Sequence, residues 1–251
     1  MVPGSTADPS IGRSCALRLA REGAAVVING RDPTRLAEAE SAMRAEGLEV
    51  IGVQGSMETE DAVEALVDQA IESFGGIDLV VSTLGGAPHA RSFDVIGEEE
   101  LLDTLKLNTW PALALIRVAL TRGLAEGGGS VVTISSGSPR KTTSAMVAYA
   151  ASKAALNAMT RTIAADLAPR GVRVNAVSPG LVRTTATRFV WKDDGGQAAG
   201  AALPMGRLTE ADDIAGAVAF LLSEDARQVT GITLDVDGGN HLGGAGWTPI
   251  H

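Results

Sequence analysis

The stretch Ser130-Val-Val-Thr-Ile-Ser-Ser136 is followed, after a twelve-residue linker, by Tyr149-Ala-Ala-Ser-Lys153. The first stretch has the apolar pattern of a buried β-strand, and the second lies in a run with the composition of a helix. Tyr149 is the only tyrosine of the chain, and Lys153 follows it by four residues, so both side chains project from one helix face. A strand end and a helix could therefore bring a hydroxyl, a phenol and an ammonium group to one point.

These three side chains suit proton transfer to or from a carbonyl or alcohol oxygen. A free phenol titrates near pH ~10 and is a poor acid or base at neutral pH. An ammonium about 5 Å away, at an effective dielectric of ~20, favours the phenolate by roughly 3 kcal/mol. We therefore expect Lys153 to lower the pKa of Tyr149 into the range of general acid–base catalysis, with Ser136 holding the substrate oxygen. The Tyr-x-x-x-Lys pair alone occurs by chance in many helices, so this interpretation depends on the rest of the chain.

Composition restricts the class of protein. A chain of 251 residues with 45% apolar and 3% aromatic residues suits one α/β domain with an aliphatic core. The formal net charge of -9 argues against nucleic-acid partners, but backbone N–H groups could still bind an anionic cofactor. Cys15 is the single cysteine and is expected to pack in the core, and His89, His241 and His251 show no ligand spacing, so no metal site is predicted. The absence of a membrane-length apolar run and of a signal-peptide pattern predicts a cytoplasmic protein without a membrane partner.

Strand and helix patterns alternate along the whole chain. Apolar runs typical of buried parallel strands occur at 24–29, 48–54, 77–81, 130–136, 172–178 and 230–239. The longest helical patterns cover 98–124, where Pro111 predicts a break or kink, and 147–167. The alternation predicts a single Rossmann-like domain over 1–251, a doubly wound parallel sheet with helices on both faces. Its first strand is short or missing, because only Met1 and Val2 remain ahead of the loop.

Several loops converge at the carboxyl edge of the predicted sheet, where such sheets bind ligands. These are the loop 4–12, Gly30-Arg31, 82–86, Ser136 and Pro179-Gly180. Ser10 is a plausible N-cap, and a glycine-rich loop that opens a helix offers free N–H groups to a phosphate. Residues 4–12 also fit a flexible tail before an ordinary helix.

The chain resembles the short-chain dehydrogenase/reductase family from about residue 4 to residue 239. The resemblance is carried by Asn108, Ser136, Tyr149-x-x-x-Lys153, Asn175-x-x-x-Pro179-Gly180 and Asp237-Gly238-Gly239. It implies that Tyr149 donates a proton in ketone reduction, that Ser136 holds the substrate oxygen, and that Lys153 lowers the tyrosine pKa and grips the nicotinamide ribose. It implies further that Asn108 distorts its helix and holds a water in a proton relay. Without the resemblance, Asn108 could simply face solvent.

The resemblance also implies a dinucleotide cofactor. The residues carried over to its binding site are Gly4, Ser10, Ile11, Gly12, Arg31, Gly85, Lys153, Pro179, Gly180, Val182 and Thr184. Gly30 stands where NAD-preferring folds have an acid, and the guanidinium of Arg31 suits a 2′-phosphate, so NADP is favoured over NAD. The alternative is that Arg31 is merely a solvated turn residue.

Three stretches depart from the family pattern. If Gly4 is its first glycine and Gly12 its last, the glycine loop is two residues longer than usual, with Ser10 in place of the middle glycine. Ser82-Thr-Leu-Gly85 replaces the usual Asn-Asn-Ala-Gly, and Ser56 replaces the usual acid that contacts adenine. These departures bear on cofactor affinity, whereas the catalytic residues match the pattern.

The most specific interpretation is an NADP-dependent ketoreductase, similar to 3-oxoacyl-carrier-protein reductases. Residues 183–206 would form the substrate loop, with Phe189 and Trp191 lining an apolar pocket, and 240–251 a loose tail. Family members commonly pair helices like 98–124 and 147–167 in a homodimer or homotetramer. Two alternatives stay open: a non-redox step such as cyclisation or isomerisation, which the weak glycine loop favours, and a cofactor-sensing or scaffold protein.

Overall fold

The structure is a computed structural model that describes residues 2–3, 10–141 and 143–242. The strands are β1 Val2–Pro3, β2 Val26–Gly30, β3 Val50–Gln54, β4 Leu79–Ser82, β5 Gly129–Ile134, β6 Val172–Pro179, β7 Val182–Arg183, β8 Thr209–Glu210 and β9 Thr233–Val236. The helices are α1 Ile11–Arg21, α2 Pro33–Ala45, α3 Glu60–Phe74, α4 Glu98–Thr121, α5 Val147–Leu167, α6 Arg188–Trp191, α7 Gln197–Ala201 and α8 Ala211–Leu222.

The main strands are parallel and form two hydrogen-bonded groups, in the orders β1-β2-β3 and β4-β5-β6-β9. The groups meet where β1 lies beside β4, with Cα atoms within 8 Å. Strand order therefore reverses at this junction, as in a doubly wound sheet with its ligand crevice at the switch point. The predicted fold class is confirmed. Within the described residues the first strand is short, as Val2 and Pro3 pair with Ile28 and Asn29 of β2.

Helices cover both faces of the sheet. On one face α1, α2 and α8 pack on the strands, with Cys15, Leu36 and Ile214 buried at the contact. On the other face α3, α4 and α5 pack, with Leu66 and Leu115 fully buried. Cys15 is a core residue as expected, and burial, with a smaller effect of the nearby Asp212 charge, raises the pKa of its thiol to about 12. The core is aliphatic because the chain has few aromatic residues to place there.

Short polar residues begin the helices at the carboxyl edge. Ser10 caps α1 by accepting a hydrogen bond from Arg13 N at 3.2 Å, which confirms the predicted N-cap. Asp32 caps α2 in the same way, accepting from Thr34 N at 3.0 Å and from Arg35 N at 3.1 Å. These caps fix the two helix starts that flank the switch point.

Local structure differs from the sequence expectation at two places. Of the break or kink predicted at Pro111, the break does not occur, because Pro111 is buried together with its neighbour Ala112 and packing offsets the missing hydrogen bond. The segment 183–206 is not a plain loop, since it contains α6, α7 and a 3-10 turn at Thr185–Thr187. The carboxylate of Asp194 accepts from Gly196 N and Ala198 N and so begins α7. Of the helices in the described ranges, none has the length and apolarity needed to cross a lipid bilayer.

Candidate active site

The hydroxyl, phenol and ammonium groups meet at the carboxyl ends of β5 and β6. Ser136 follows β5 by two residues, and Tyr149 and Lys153 lie in the first two turns of α5. Lys153 Nζ lies 5.9 Å from the centroid of the Tyr149 ring and donates to Ile134 O at 2.9 Å. The Ser136 hydroxyl lies close enough to the Tyr149 phenol to lower its pKa. The structure thus brings together the three residues whose spacing suggested a common site.

The protonation of this group differs from the expectation. Lys153 is 3% exposed, and burial lowers the pKa of its ammonium to about 8. Burial also raises the pKa of the Tyr149 phenol, and the hydrogen bond with Ser136 opposes this only in part. The prediction of a lowered tyrosine pKa is therefore wrong for this structure. Burial disfavours both charged forms, and the hydrogen bond of the lysine goes to Ile134 rather than to the phenol.

Lys153→Met is expected to change how stability depends on pH. The pKa of Lys153 falls from 10.5 to about 8 on folding, so between these values the unfolded chain binds one more proton. Folded wild-type protein therefore gains stability as pH rises through this window. The unfolding free energy of wild type minus that of the variant should rise by about 2 kcal/mol between pH 7.5 and pH 9.5.

Urea unfolding of both proteins at the two pH values measures this difference. Taking the difference cancels the titration of Cys15, whose raised pKa destabilises the folded state as the pH rises into the alkaline range. A difference that stays flat or falls with pH would contradict a buried ammonium at residue 153.

Asn108 joins helix α4 to the loop after β4. Its amide Nδ2 donates to Gly86 O at 2.8 Å and to Thr104 O at 2.9 Å, and its Oδ1 accepts from Gly86 N at 2.9 Å. The side chain is 2% exposed, so the alternative of a solvent-facing asparagine is excluded. These bonds fix the loop beside Lys153. The role of Asn108 in a water-mediated relay stays a prediction.

Gly85 fills the narrow space between this asparagine and the lysine. Its φ is +144°, and an added Cβ would lie 2.4 Å from Asn108 Oδ1 and 2.7 Å from Lys153 Nζ. Such distances leave no room for a side chain. Glycine at this position is therefore required by both backbone conformation and close approach.

The turn after Ser136 contains a second hydroxyl that sequence reasoning missed. Ser136 Oγ lies 3.1 Å from Ser138 Oγ and accepts from Ser138 N at 3.1 Å. Gly137 N donates to Pro179 O at 3.0 Å, which joins the ends of β5 and β6. A serine two residues after another is the available signal, because hydroxyls often accept from the N–H at that spacing.

A cavity of about 680 Å³ lies beside this group, over the carboxyl ends of β2, β3 and β4. Arg31 and Gly85, both predicted to bind cofactor, line it, as does Ser56. Its other walls come from Asn29, Gly30, Asp32, Arg35, Gly55, Met57, Glu58, Thr83, Leu84, Gly86, Ala87, Pro88, Leu107 and Pro111. Sequence reasoning missed Arg35, although its position four residues after Arg31 in the chain was a usable signal.

The charged rim of this cavity contains both signs. The side chain of Arg31 is 79% exposed, with Nη1 at 3.9 Å from Glu58 Oε1. Arg35 Nε lies 3.7 Å from Asp32 Oδ2. At these distances the contacts are weak, and both guanidinium groups can reorient toward an anion.

The remaining cofactor residues divide between the start of α1 and the end of β6. Gly12 is buried in α1 after the Ser10 cap and the half-buried Ile11, while Gly4 lies outside the described residues. Gly180 packs against Asp237 so closely that a Cβ would lie 2.7 Å from the aspartate Cβ.

Val182 and Thr184 are held by the protein itself. The Val182 side chain is 4% exposed and packs in the core, so only its backbone could face a ligand. Thr184 O accepts from Trp191 Nε1 at 3.0 Å, and the Arg183 guanidinium lies 6.0 Å from the Trp191 ring. Phe189 is 75% exposed. Neither aromatic residue lines the 680 Å³ cavity, so the expected aromatic-lined pocket is not seen there.

One histidine lies near two carboxylates. Donor atoms of Asp235, Asp237 and His241 lie within 4.8 Å of one another, a grouping that sequence spacing missed. Asp237 binds His241 Nδ1 at 2.9 Å, His241 N at 2.9 Å and Gly239 N at 2.9 Å, and Asp235 forms an ion pair with Arg140. These carboxylates thus bind protein groups and hold the last turn.

Comparisons with known proteins agree with this geometry. The family profile described as enoyl-(acyl carrier protein) reductase matches residues 4–241. Human dehydrogenase/reductase SDR family member 4 is 36% identical over 230 residues, which cover 91% of this chain and 83% of the relative. An uncharacterized oxidoreductase of Methylorubrum extorquens is 37% identical over 236 residues, covering 93% and 94%.

Solved structures extend the similarity to the fold. A short-chain type dehydrogenase/reductase from Mycobacterium ulcerans superposes with a TM-score of 0.89 at 30% identity, covering 97% of this chain and 89% of that one. A 7α-hydroxysteroid dehydrogenase complexed with NADH and 7-oxo glycochenodeoxycholic acid gives a TM-score of 0.88 at 29% identity, covering 95% and 92%. With its sheet order, its Ser-Tyr-Lys site and these relatives, the chain belongs to the short-chain dehydrogenase/reductase family of oxidoreductases.

Proposed function

We propose that this protein is an NADP-dependent oxidoreductase that reduces a ketone to a secondary alcohol, or catalyses the reverse oxidation. The observation that carries the proposal is the meeting of Ser136, Tyr149 and buried Lys153 beside the 680 Å³ cavity. Gly85 links the two, because it lines the cavity and its backbone lies close to Lys153. Binding of a dinucleotide fits the caps at the switch point, the tight glycine and the two cavity arginines.

Each residue has a distinct task in this mechanism. A bound nicotinamide supplies the hydride that reduces the carbonyl carbon. Tyr149, which burial keeps in the neutral form that can donate, gives its proton to the carbonyl oxygen. The Ser136 hydroxyl orients that oxygen and stabilises the charge that develops on it. Lys153 would hold the ribose of the cofactor and stabilise the phenolate that proton transfer leaves behind.

NADP is proposed over NAD because the cavity rim presents two guanidinium groups where an acid would favour NAD. Gly30 ends β2 without a carboxylate, and Arg31 and Arg35 both line the cavity. Guanidinium groups bind phosphate oxygens through planar, charge-assisted hydrogen bonds. The neighbouring Asp32 carboxylate is occupied by its cap bonds to α2.

Arg31→Gln is expected to weaken NADPH binding by about 10- to 100-fold, because one charged hydrogen bond to the 2′-phosphate is lost. NADH lacks this phosphate, so its binding should weaken by much less. Titration of cofactor fluorescence measures both dissociation constants. Arg21→Gln is the matched control, because Arg21 binds Glu46 at the other end of α1 and should leave both constants unchanged. An equal loss of affinity for NADPH and NADH would argue against a contact between Arg31 and the 2′-phosphate.

The activity itself is tested by NADPH oxidation with a panel of ketones, alongside NADPH and NADH titrations. Turnover of a ketone with NADPH supports the proposal. Binding of neither cofactor would favour the non-redox or sensing alternatives.

We also propose a homodimer or homotetramer through α4 and α5, since Leu102 and Val147 on these helices are 54% and 45% exposed. Sedimentation equilibrium would contradict this if it showed only monomer.

A further inference from the structure

A charged side chain ties the turn after Ser136 to the sheet. Arg140 forms an ion pair with Asp235, and its Nη2 donates to Ser178 Oγ at 3.2 Å. Ser178 and Asp235 are paired residues of β6 and β9, near the carboxyl ends of both strands. Ser178 is fully buried and the Asp235 side chain is 17% exposed, so the anchor points belong to the sheet and are largely shielded from water.

Backbone contacts carry this anchor to Ser136. Gly137 O accepts from Arg140 N at 3.0 Å and from Lys141 N at 2.9 Å, which closes a tight turn. The Lys141 ammonium also binds Asn240 Oδ1. Within the turn, Ser138 N donates to Ser136 Oγ at 3.1 Å. The turn that positions the Ser136 hydroxyl is thus held at its far end by charged contacts to the last strand and the turn after it.

The segment has little apolar packing to fix it otherwise. Residues 137–141 and 143–145 are half-buried or exposed, whereas Ser135, at the end of the strand before them, is buried. A segment of this kind depends on polar anchors for its position. An error of ~1 Å at a reacting group can lower the rate by about 10²-fold, so loss of an anchor should be visible in turnover.

We infer that Arg140 is a positioning residue, whose ion pair with Asp235 fixes the turn that orients the Ser136 hydroxyl toward Tyr149. The inference rests on the proposed reductase function, in which Ser136 holds the substrate oxygen. Arg140 acts through the turn and is not assigned a contact with substrate, cofactor or the reacting atoms.

Arg140→Met is expected to lower kcat with a ketone by about 10- to 100-fold while the NADPH dissociation constant stays within about twofold. Asp235→Asn should have a similar effect, and Arg140→Lys should recover part of the loss. In a Ser136→Ala background, Arg140→Met should cause no further loss, because the hydroxyl that it positions is gone. Arg122→Met is the matched control, since it removes an exposed ion pair with Asp68 distant in sequence from this turn.

A second readout needs no reductase activity. Tyr149 is the only tyrosine, so phenolate absorbance against pH reports its pKa directly. The hydrogen bond with Ser136 lowers this pKa, so Arg140→Met should raise it in the same direction as Ser136→Ala, and Arg122→Met should not. A protein without reductase activity could still show this shift, which separates the inference from the proposed function.

Two results would overturn the inference. One is an unchanged Tyr149 pKa in Arg140→Met, and the other is an equal loss of kcat with and without the Ser136 hydroxyl. If Arg140→Met does not fold, Asp235→Asn and Arg140→Lys test the same two quantities.

Discussion

Tyr149→Phe is expected to lower kcat for ketone reduction by about 10²- to 10⁴-fold, the usual contribution of a positioned general acid. The ring stays beside Lys153, so the packing and the cofactor site are kept and only the donated proton is lost. The NADPH dissociation constant should therefore change by no more than about twofold. Stopped-flow measurement of a single turnover at saturating NADPH separates the chemical step from product release.

Thr162→Val is the matched control for this change. It removes a hydroxyl from the same helix, one that bonds Ala158 O at 3.2 Å on the exposed side of α5. Its kcat should match that of the wild type. If Tyr149→Phe kept more than about a tenth of wild-type turnover, another group would have to donate the proton.

Gly85→Ala is expected to impair the site and the fold together. The new methyl group would collide with Asn108 Oδ1 and Lys153 Nζ, and the backbone at φ +144° is one that alanine rarely adopts. Relief requires either the lysine or the Asn108–Gly86 bonds to move. We expect a loss of about 1–3 kcal/mol in unfolding free energy and at least a tenfold loss of kcat/KM.

The neighbouring Gly86→Ala provides the control. A Cβ on Gly86 would meet nothing nearer than Leu107 Cδ2 at 3.9 Å, an ordinary contact. Chemical denaturation and steady-state kinetics of both variants give the comparison. If Gly85→Ala behaved like Gly86→Ala, the tight approach of Gly85 to the lysine would not be a requirement of the site.

Local spacing explains why part of the site could be predicted from the sequence. Residues four apart on a helix share one face wherever the helix lies in the fold, so Tyr149 and Lys153 could be paired from the sequence. Ser136 follows β5, the strand that precedes their helix α5. The alternation of apolar strands and helices likewise determined the fold class. Helix caps such as Ser10 depend on neighbouring residues only, and this prediction was confirmed.

Properties that depend on tertiary burial were not accessible in the same way. The direction in which the Tyr149 pKa shifts follows from how deeply the phenol is buried, and the spacing of residues along the chain does not report burial. The Arg140–Asp235 pair joins residues 95 positions apart in the chain (235 minus 140), so no local pattern marks it. Pro111 was expected to break or kink α4, and the packing of its buried neighbours keeps the helix from breaking there.

The packing of α1 on α8 has a consequence for synthesis of the chain. The apolar side of α1, including Cys15 and Leu19, is covered by Ile214 and Val218 near the other end of the sequence. During translation at 5–20 residues per second, about 10 to 40 s would pass between emergence of the first helix and emergence of its partner. During that interval the apolar side of α1 is exposed on the nascent chain, where a ribosome-associated chaperone could cover it. The domain completes its folding only after its last fifth has left the exit tunnel.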